Sequence, residues 1–295
     1  MKPLLLSLQA LAQSDTIPSG IGETLPVESP ASPNYTTYVL ILIGIVFVGY
    51  FFVSRRRMFA NIFRAISGKF DVTSNNPLST EKQRHILLGA IFSSQQNARL
   101  DSLKLHIDSK QRSMILDEWW DIRCTEDALE TLDGLRDKGH RYFFPYVLEA
   151  MKQPDDQAKG DVILAHFEEE EEIERAVYFL NNLSGSVEAM KKEGTITGIE
   201  DLERIGVGGW DVGRLSFIAR ACYDAGYIDE ETAWKYLQDA DRLAHEKLDS
   251  WKALAESYVV GRYLWGGINA DSSLIRLYAT ELCTKPDSPW NKIAF

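Results

Sequence analysis

Cysteine is scarce in this chain of 295 residues: Cys124, Cys222 and Cys283 stand far apart. That spacing excludes a disulfide framework and a zinc ribbon, and it fits a reducing compartment. Histidine is equally thin. His85, His106, His140, His166 and His245 are scattered, with no pair four residues apart, so no metal site is expected. His245-Glu246 opens like a zincin motif but has no second histidine, and no serine sits in a nucleophile elbow. Catalytic motifs are therefore missing, and no cofactor is implied. Basic charge is in deficit too: 32 Lys and Arg face 43 Asp and Glu, for a net charge of −11. Almost all of this acidity lies beyond Arg57, in a part of the chain that phosphate backbones would repel, which argues against a nucleic-acid partner. Strand signals are scarce and no internal repeat is visible.

Long hydrophobic runs are also rare, with one exception. Residues 35–53, from Tyr35 to Val53, read YTTYVLILIGIVFVGYFFV, 19 positions without a charge. As a helix they would extend roughly 28 Å, close to a bilayer's hydrocarbon thickness. Tyr35, Tyr38 and Tyr50 lie near the ends, where aromatic rings favour the interface. Arg55, Arg56 and Arg57 follow at once, and the positive-inside bias puts the C-terminal side in the cytoplasm. The expectation is a single-pass protein of the inner (cytoplasmic) membrane. Residues 1–34 form a flexible external tail whose first twelve positions imitate a short secretory signal. Residues 54–78 are a basic juxtamembrane segment, with Phe59, Ile62, Phe63, Ile66 and Phe70 on one helical face, ending in a linker at Asn75-Asn76-Pro77.

Residues 79–295 read as an all-α cytoplasmic domain. Thr80 and Gln83 fit a capping box for a first helix. Residues 109–120 form a second, ending in Trp119-Trp120. Thr125 caps a third, with Ala128, Leu129, Leu132 and Leu135 on one face and a stop at Gly139. Residues 161–190 read as one long helix or a pair, with Ile173, Val177 and Leu180 facing inward and Glu168–Glu172 as a solvated face.

The richest stretch is residues 208–265. Its first helix runs from Trp210 to Ala225 and stops at Gly226. Trp210, Arg214, Phe217, Ile218 and Ala221 form its stripe, and Asp211 lies one turn from Arg214. The next begins at Asp229, with Asp241 amid Trp234, Leu237, Ala244 and Leu248. The third begins after Ser250 and aligns Trp251, Leu254, Tyr258, Arg262 and Trp265. Each helix thus brings one charge onto its apolar face: Arg214, Asp241 and Arg262. Isolated buried charges are costly, so these must meet one another or a ligand. One expectation is an Arg–Asp–Arg network pinning the helices. The other is a guanidinium left free to hold a carboxylate or phosphate, with His140, Arg141, Asp211, Asp241, Trp210 and Tyr258 as companions. Glycines 206, 208 and 209 allow a tight turn before Trp210. Cys222 sits in a helix interior and reads as core.

Several motifs give the chain a family likeness. They are Trp120-Asp121-Ile122, the Leu129/Leu132/Leu135 helix running into Gly139-His140-Arg141, and residues 199–202. Further on come Trp210-Asp211-x-Gly213-Arg214, Arg220, Ala225-Gly226-Tyr227, Ala233-Trp234, Ser250-Trp251 and Tyr258-x-x-Gly261-Arg262-x-x-Trp265. Over residues 82–267 the chain resembles the bacterial domain of unknown function 1266 family. Gly208-Gly209 departs from the alanine usual there and is expected to loosen that turn. The resemblance implies no activity, cofactor or partner. By elimination, the expected role is a protein-interaction or scaffold module at the inner face of the membrane. The alternatives are a pocket for a small anionic ligand and an enzyme of unknown class.

Overall fold

One helix is buried on nearly every side. It spans Gly208–Ala225, and every position from Gly209 to Cys222 is inside. The computed structural model describes residues 70–72 and 78–295. The tail, the apolar run at 35–53 and most of the juxtamembrane segment lie outside the described residues. Among the described residues no helix is long and apolar enough to cross a membrane.

The described elements are all helical. They are α1 (Thr80–Leu87), α2 (Ala90–Gln96), and α3 (Ser109–Ser113), which runs into a π-helical turn, Met114–Trp119. Then come α4 (Thr125–Asp137), a 3-10 turn at His140–Tyr142, α5 (Phe144–Met151), α6 (Asp156–His166), α7 (Glu170–Lys192) and α8 (Glu200–Ile205). The central helix is α9. It is followed by α10 (Glu230–Lys247), α11 (Trp251–Gly266), α12 (Ala270–Thr284) and a final 3-10 turn at Pro289–Asn291. Helix α9 packs against α10 and α11 over most of its length, and against α1, α2 and α4 on its other sides. Leu215, Phe217, Ile218 and Ala219 at its middle are fully buried. Leu215, Phe217 and Ile218 each contribute about 1.5–3 kcal/mol by leaving water.

Local chemistry explains the boundaries of the last helices. Gly226 takes φ +82°, the left-handed stop that ends α9. Asp229 accepts the Thr232 N–H at 2.8 Å to start α10, and Ser250 accepts the Ala253 N–H at 3.2 Å to start α11. The α9–α11 crossing is close because glycines line it. A Cβ on Gly213 would lie 2.6 Å from the Tyr258 ring, and one on Gly261 would overlap Trp210. Gly209 belongs to the same seam: its N–H donates to Ser257 Oγ at 2.9 Å, and a Cβ there would meet the Leu254 carbonyl. Gly209 therefore permits close packing at this point, whereas a Cβ on Gly208 would meet open space.

Other sequence expectations are refined. Ser79, not Thr80, caps α1, and the Gln83 side chain donates to the Leu78 carbonyl at 2.7 Å. Cys124 occupies the N-cap position of α4, while Thr125 donates its hydroxyl to the Tyr227 carbonyl at 2.7 Å. The 161–190 stretch falls into α6 and α7, broken at Phe167, whose ring stacks on Phe143. Val177 and Leu129 are partly exposed, and Ala176, Phe179 and Leu132 take the inward positions.

Candidate functional site

The first two turns of α9 aim side chains in two directions. Asp211, a wholly buried carboxylate, faces the turn after α4. The backbone N–H groups of His140 and Arg141 donate to its two oxygens at 2.9 and 2.8 Å. Arg214, one turn further along α9, donates to Asp211 Oδ1 and to His140 Nδ1. The expected Asp211–Arg214 partnership is thus present. Burial pushes the Asp211 carboxyl up, but hydrogen bonds from His140 and the charge of Arg214 outweigh it and hold it well below the usual range. Burial, then the Arg214 charge, push His140 down to about 4. At neutral pH the imidazole is therefore uncharged.

Arg141 is committed elsewhere. Its guanidinium donates to the carbonyls of Leu135 and Arg136 at the end of α4 and touches Asp211 at 3.3 Å. It therefore caps a helix C-terminus, where a cation is favoured.

The expected Arg214–Asp241–Arg262 network does not form. Asp241 accepts a forked pair of hydrogen bonds from Arg84 at 2.8 and 2.9 Å, with His85 Nε2 at 3.5 Å. These partners come from α1, which α10 packs beside, so Asp241 pins those two helices together.

Trp210 and Arg214 face a cleft of about 430 Å³ that also takes in Tyr258, Arg262 and Trp265 of α11. Trp119 ends the π-helical turn and Trp120 follows it, Phe92 and Gln95 come from α2, and Asp271 and Ile275 from α12. The Arg214 guanidinium lies 4.8 Å from the Trp210 ring and 5.7 Å from that of Trp120, and Arg262 lies 4.8 Å from Trp265. Trp119 and Trp265 are about half exposed.

Arg262 differs from Arg214 in what it meets. It is 3% exposed. Its Nη2 donates to Asn269 Oδ1 at 2.9 Å, and the nearest carboxylate, on the exposed Asp271, is 4.0 Å away. Its Nη1 is buried without a partner, in the space a side chain at Gly266 would need. Trp210 Nε1, in the same lining, is likewise buried and unpaired. Both are donors with no accepting capacity. Burial, opposed by two arginines, raises the Tyr258 phenol above its ordinary range, so it stays neutral.

A second cleft of about 380 Å³ lies beside the first. His140, Phe143, Lys138, Arg175 and Glu172 line it, and Trp120 and Arg214 belong to both. His140 is thus near Arg214 but faces this second space. Among the described residues no histidine or cysteine lines the aromatic cleft, and Asp271 is its one carboxylate. No metal-holding cluster occurs among the described residues. Burial pushes Cys222 up to about 12, which leaves an inert core thiol.

Of the eight candidate residues, the aromatic cleft gathers Trp210, Arg214, Tyr258 and Arg262. His140, Arg141 and Asp211 brace it from behind Arg214, and Asp241 is apart. Sequence reasoning missed Asp271, Gln95 and Trp119 as parts of the cleft, and Asn269 as the partner of Arg262. Asn269-x-x-Ser272 carries a capping-box pattern, and Trp119-Trp120 was visible as a tryptophan pair, but neither signal names its neighbours.

The fold and cleft define an all-helical domain wrapped round a buried helix, with a tryptophan- and arginine-walled recess at that helix's start. The chain belongs to the family described as protein of unknown function (DUF1266), whose model matches residues 115–295. That match begins later than the resemblance drawn from the motifs and runs to Phe295, so it includes α12. No curated protein and no solved structure matches the chain.

Proposed function

We propose that the domain binds a small anionic ligand in the aromatic cleft. The observation that carries this reading is that two residues of its lining, Arg262 and Trp210, each hold a buried donor, Nη1 and Nε1, that meets no acceptor. Buried polar groups in folded proteins are almost always satisfied, and what satisfies two donors must accept. A guanidinium beside a low-dielectric wall suits a carboxylate or a phosphate. Arg214 adds positive field while its Nη2 is taken by Asp211 and His140 and its Nε by the Trp210 carbonyl. A volume of about 430 Å³ is in the range of small-molecule sites.

The test is fluorescence titration of the full chain with indole-3-propionate and with phenyl phosphate. At least one should give saturable quenching that Arg262→Gln removes. No saturable change with either anion, or equal binding by the variant, would refute the reading.

A second reading, a protein-interaction or scaffold module, is favoured by the exposure of Trp119 and Trp265 at the cleft. It predicts that Trp119→Ser lowers partner capture without altering anion titration. In both readings the chain is anchored in the inner membrane of a bacterium through residues 35–53 and Arg55, Arg56 and Arg57, with the domain cytoplasmic. The uncharged 19-residue run followed by three arginines supports this. Protease added to inverted membrane vesicles should digest the domain; protection of the domain there would reverse the topology.

A further inference from the structure

We propose that the occupant of the cleft is a zwitterion of the α-amino acid type with an aromatic or large apolar side chain, its carboxylate on Arg262 and its ammonium on Asp271. This rests on the anion-binding reading and narrows it.

The argument begins with the charge beside Arg262. Asp271 lines the same cleft and stands 4.0 Å from Arg262 Nη2. Its side chain is 62% exposed. That separation is too long for a hydrogen bond, so Asp271 leaves the Arg262 donors largely unspent. It is nevertheless close enough to repel any second negative charge brought to the guanidinium. A simple anion in this cleft therefore meets a favourable cation and an unfavourable carboxylate together. A ligand that carries a positive group next to its anion turns the second effect from repulsion to attraction. An α-amino acid does so with the amine on the carbon adjacent to the carboxylate.

The remaining lining fixes the rest of the ligand. Trp119, Trp120, Trp265 and Ile275 present rings and methyl groups, and among the described residues Arg214, whose Nη2 is held by Asp211 and His140, is the one further charged side chain. A polar or charged ligand side chain would lose its hydration against these walls, whereas an aromatic or branched apolar one gains by burial. The two charged anchors also come from different elements, Arg262 from α11 and Asp271 from the first turn of α12, with Asn269 between them. A zwitterion held by both bridges the α11–α12 junction.

Isothermal titration of the full chain with four probes tests this. L-Tryptophan and L-phenylalanine carry both charges, indole-3-propionate lacks the amine, and tryptamine lacks the carboxylate. At least one amino acid should bind tenfold or more tightly than either single-charge analogue. Asp271→Asn, at an exposed position, should erase the advantage over indole-3-propionate, and Arg262→Gln should abolish amino acid binding; circular dichroism melts would confirm that both variants fold. If indole-3-propionate binds wild type as tightly as the amino acids, the zwitterion assignment fails and the anion site stands. If tryptamine binds most tightly, or no probe binds, both fail.

Discussion

Arg262 and Asn269 share a hydrogen bond that ties the cleft to the start of α12. The guanidinium donates to Asn269 Oδ1 at 2.9 Å, and the same oxygen accepts the Ser272 N–H at 3.0 Å. The α12 cap therefore survives without Arg262. Replacing Arg262 by Met should leave the unfolding free energy within about 1 kcal/mol of wild type, or raise it, because a poorly paired buried cation is removed. Anion binding should disappear in the same variant. Urea denaturation of the full chain checks this. A loss of roughly 3–5 kcal/mol, the cost of breaking a buried pair, would make Arg262 scaffold and remove the argument for the cleft.

Acid should weaken the fold through His140. Its folded pKa is pushed down to about 4 from an ordinary 6.5, so the unfolded chain takes up the proton first as pH falls. The stabilisation is complete above about pH 6.5, declines toward pH 4 and changes no further below that. Its size is roughly 3 kcal/mol, because each tenfold loss of proton affinity on folding is worth about 1.4 kcal/mol. Asp211, whose folded carboxyl is held below 3.8, extends the decline in the same direction at still lower pH. His140→Gln should flatten the slope between pH 6.5 and 4, read by denaturation at a series of pH values. An unchanged slope would mean that another group governs it.

What was legible in the sequence was local. Gly226, Asp229 and Ser250 mark helix ends because caps act over three or four residues, and Asp211 with Arg214 is a pair within one helix. Trp210, Tyr258 and Arg262 were recognisable as inward-facing because periodicity reports which face is apolar. Periodicity does not report what lies opposite. Asp241 found Arg84, 157 positions away, where the helix pattern suggested Arg214 and Arg262. His140 reached Arg214, yet it faces a different cleft, because the turn after α4 is docked through backbone N–H groups that carry no sequence signature. The cleft's far wall, Trp119 and Asp271, depends on how the π-helical turn meets α9 and how α12 packs on α11 and α2, which no local pattern encodes.

Gly139 is the hinge of that docking. Its backbone takes φ +58° and ψ −163°, a region open to glycine alone, and a Cβ there would run into the Asp211 carboxylate. Gly139→Ala should therefore cost more than the about 1–3 kcal/mol of backbone strain. Gly194→Ala is the control: φ is +73° there, but the space is open, so strain is the whole cost. Thermal melts should rank Gly139→Ala well below Gly194→Ala. Equal melting temperatures would show that Asp211 moves aside freely.

Arg220 presents the opposite case to Arg262. It is fully buried, and every nitrogen is used. Nη1 donates to Ser93 Oγ at 2.9 Å, Nη2 to the carbonyls of Arg99 and Ser102, and Nε to that of Leu103 at 3.3 Å. The guanidinium thereby holds residues 97–105, which form no helix and turn the carbonyls of Arg99, Ser102 and Leu103 toward it. Burial pushes Arg220 down to about 9, so it keeps its charge at neutral pH, balanced by acceptors more than by any contacting acid. Arg220→Met would fill much of the same volume and still leave three carbonyls and a hydroxyl without a donor. Each costs about 1–3 kcal/mol when stranded, and relaxation recovers part of the sum, so a loss of roughly 3–5 kcal/mol is expected. Arg220→Lys should fall between, because one ammonium cannot reach both ends of that fork. Amide exchange should quicken first at residues 97–105 in either variant. Unchanged exchange there, with stability near wild type, would show that the segment is held by Leu100, Leu103 and Leu105 in the core instead.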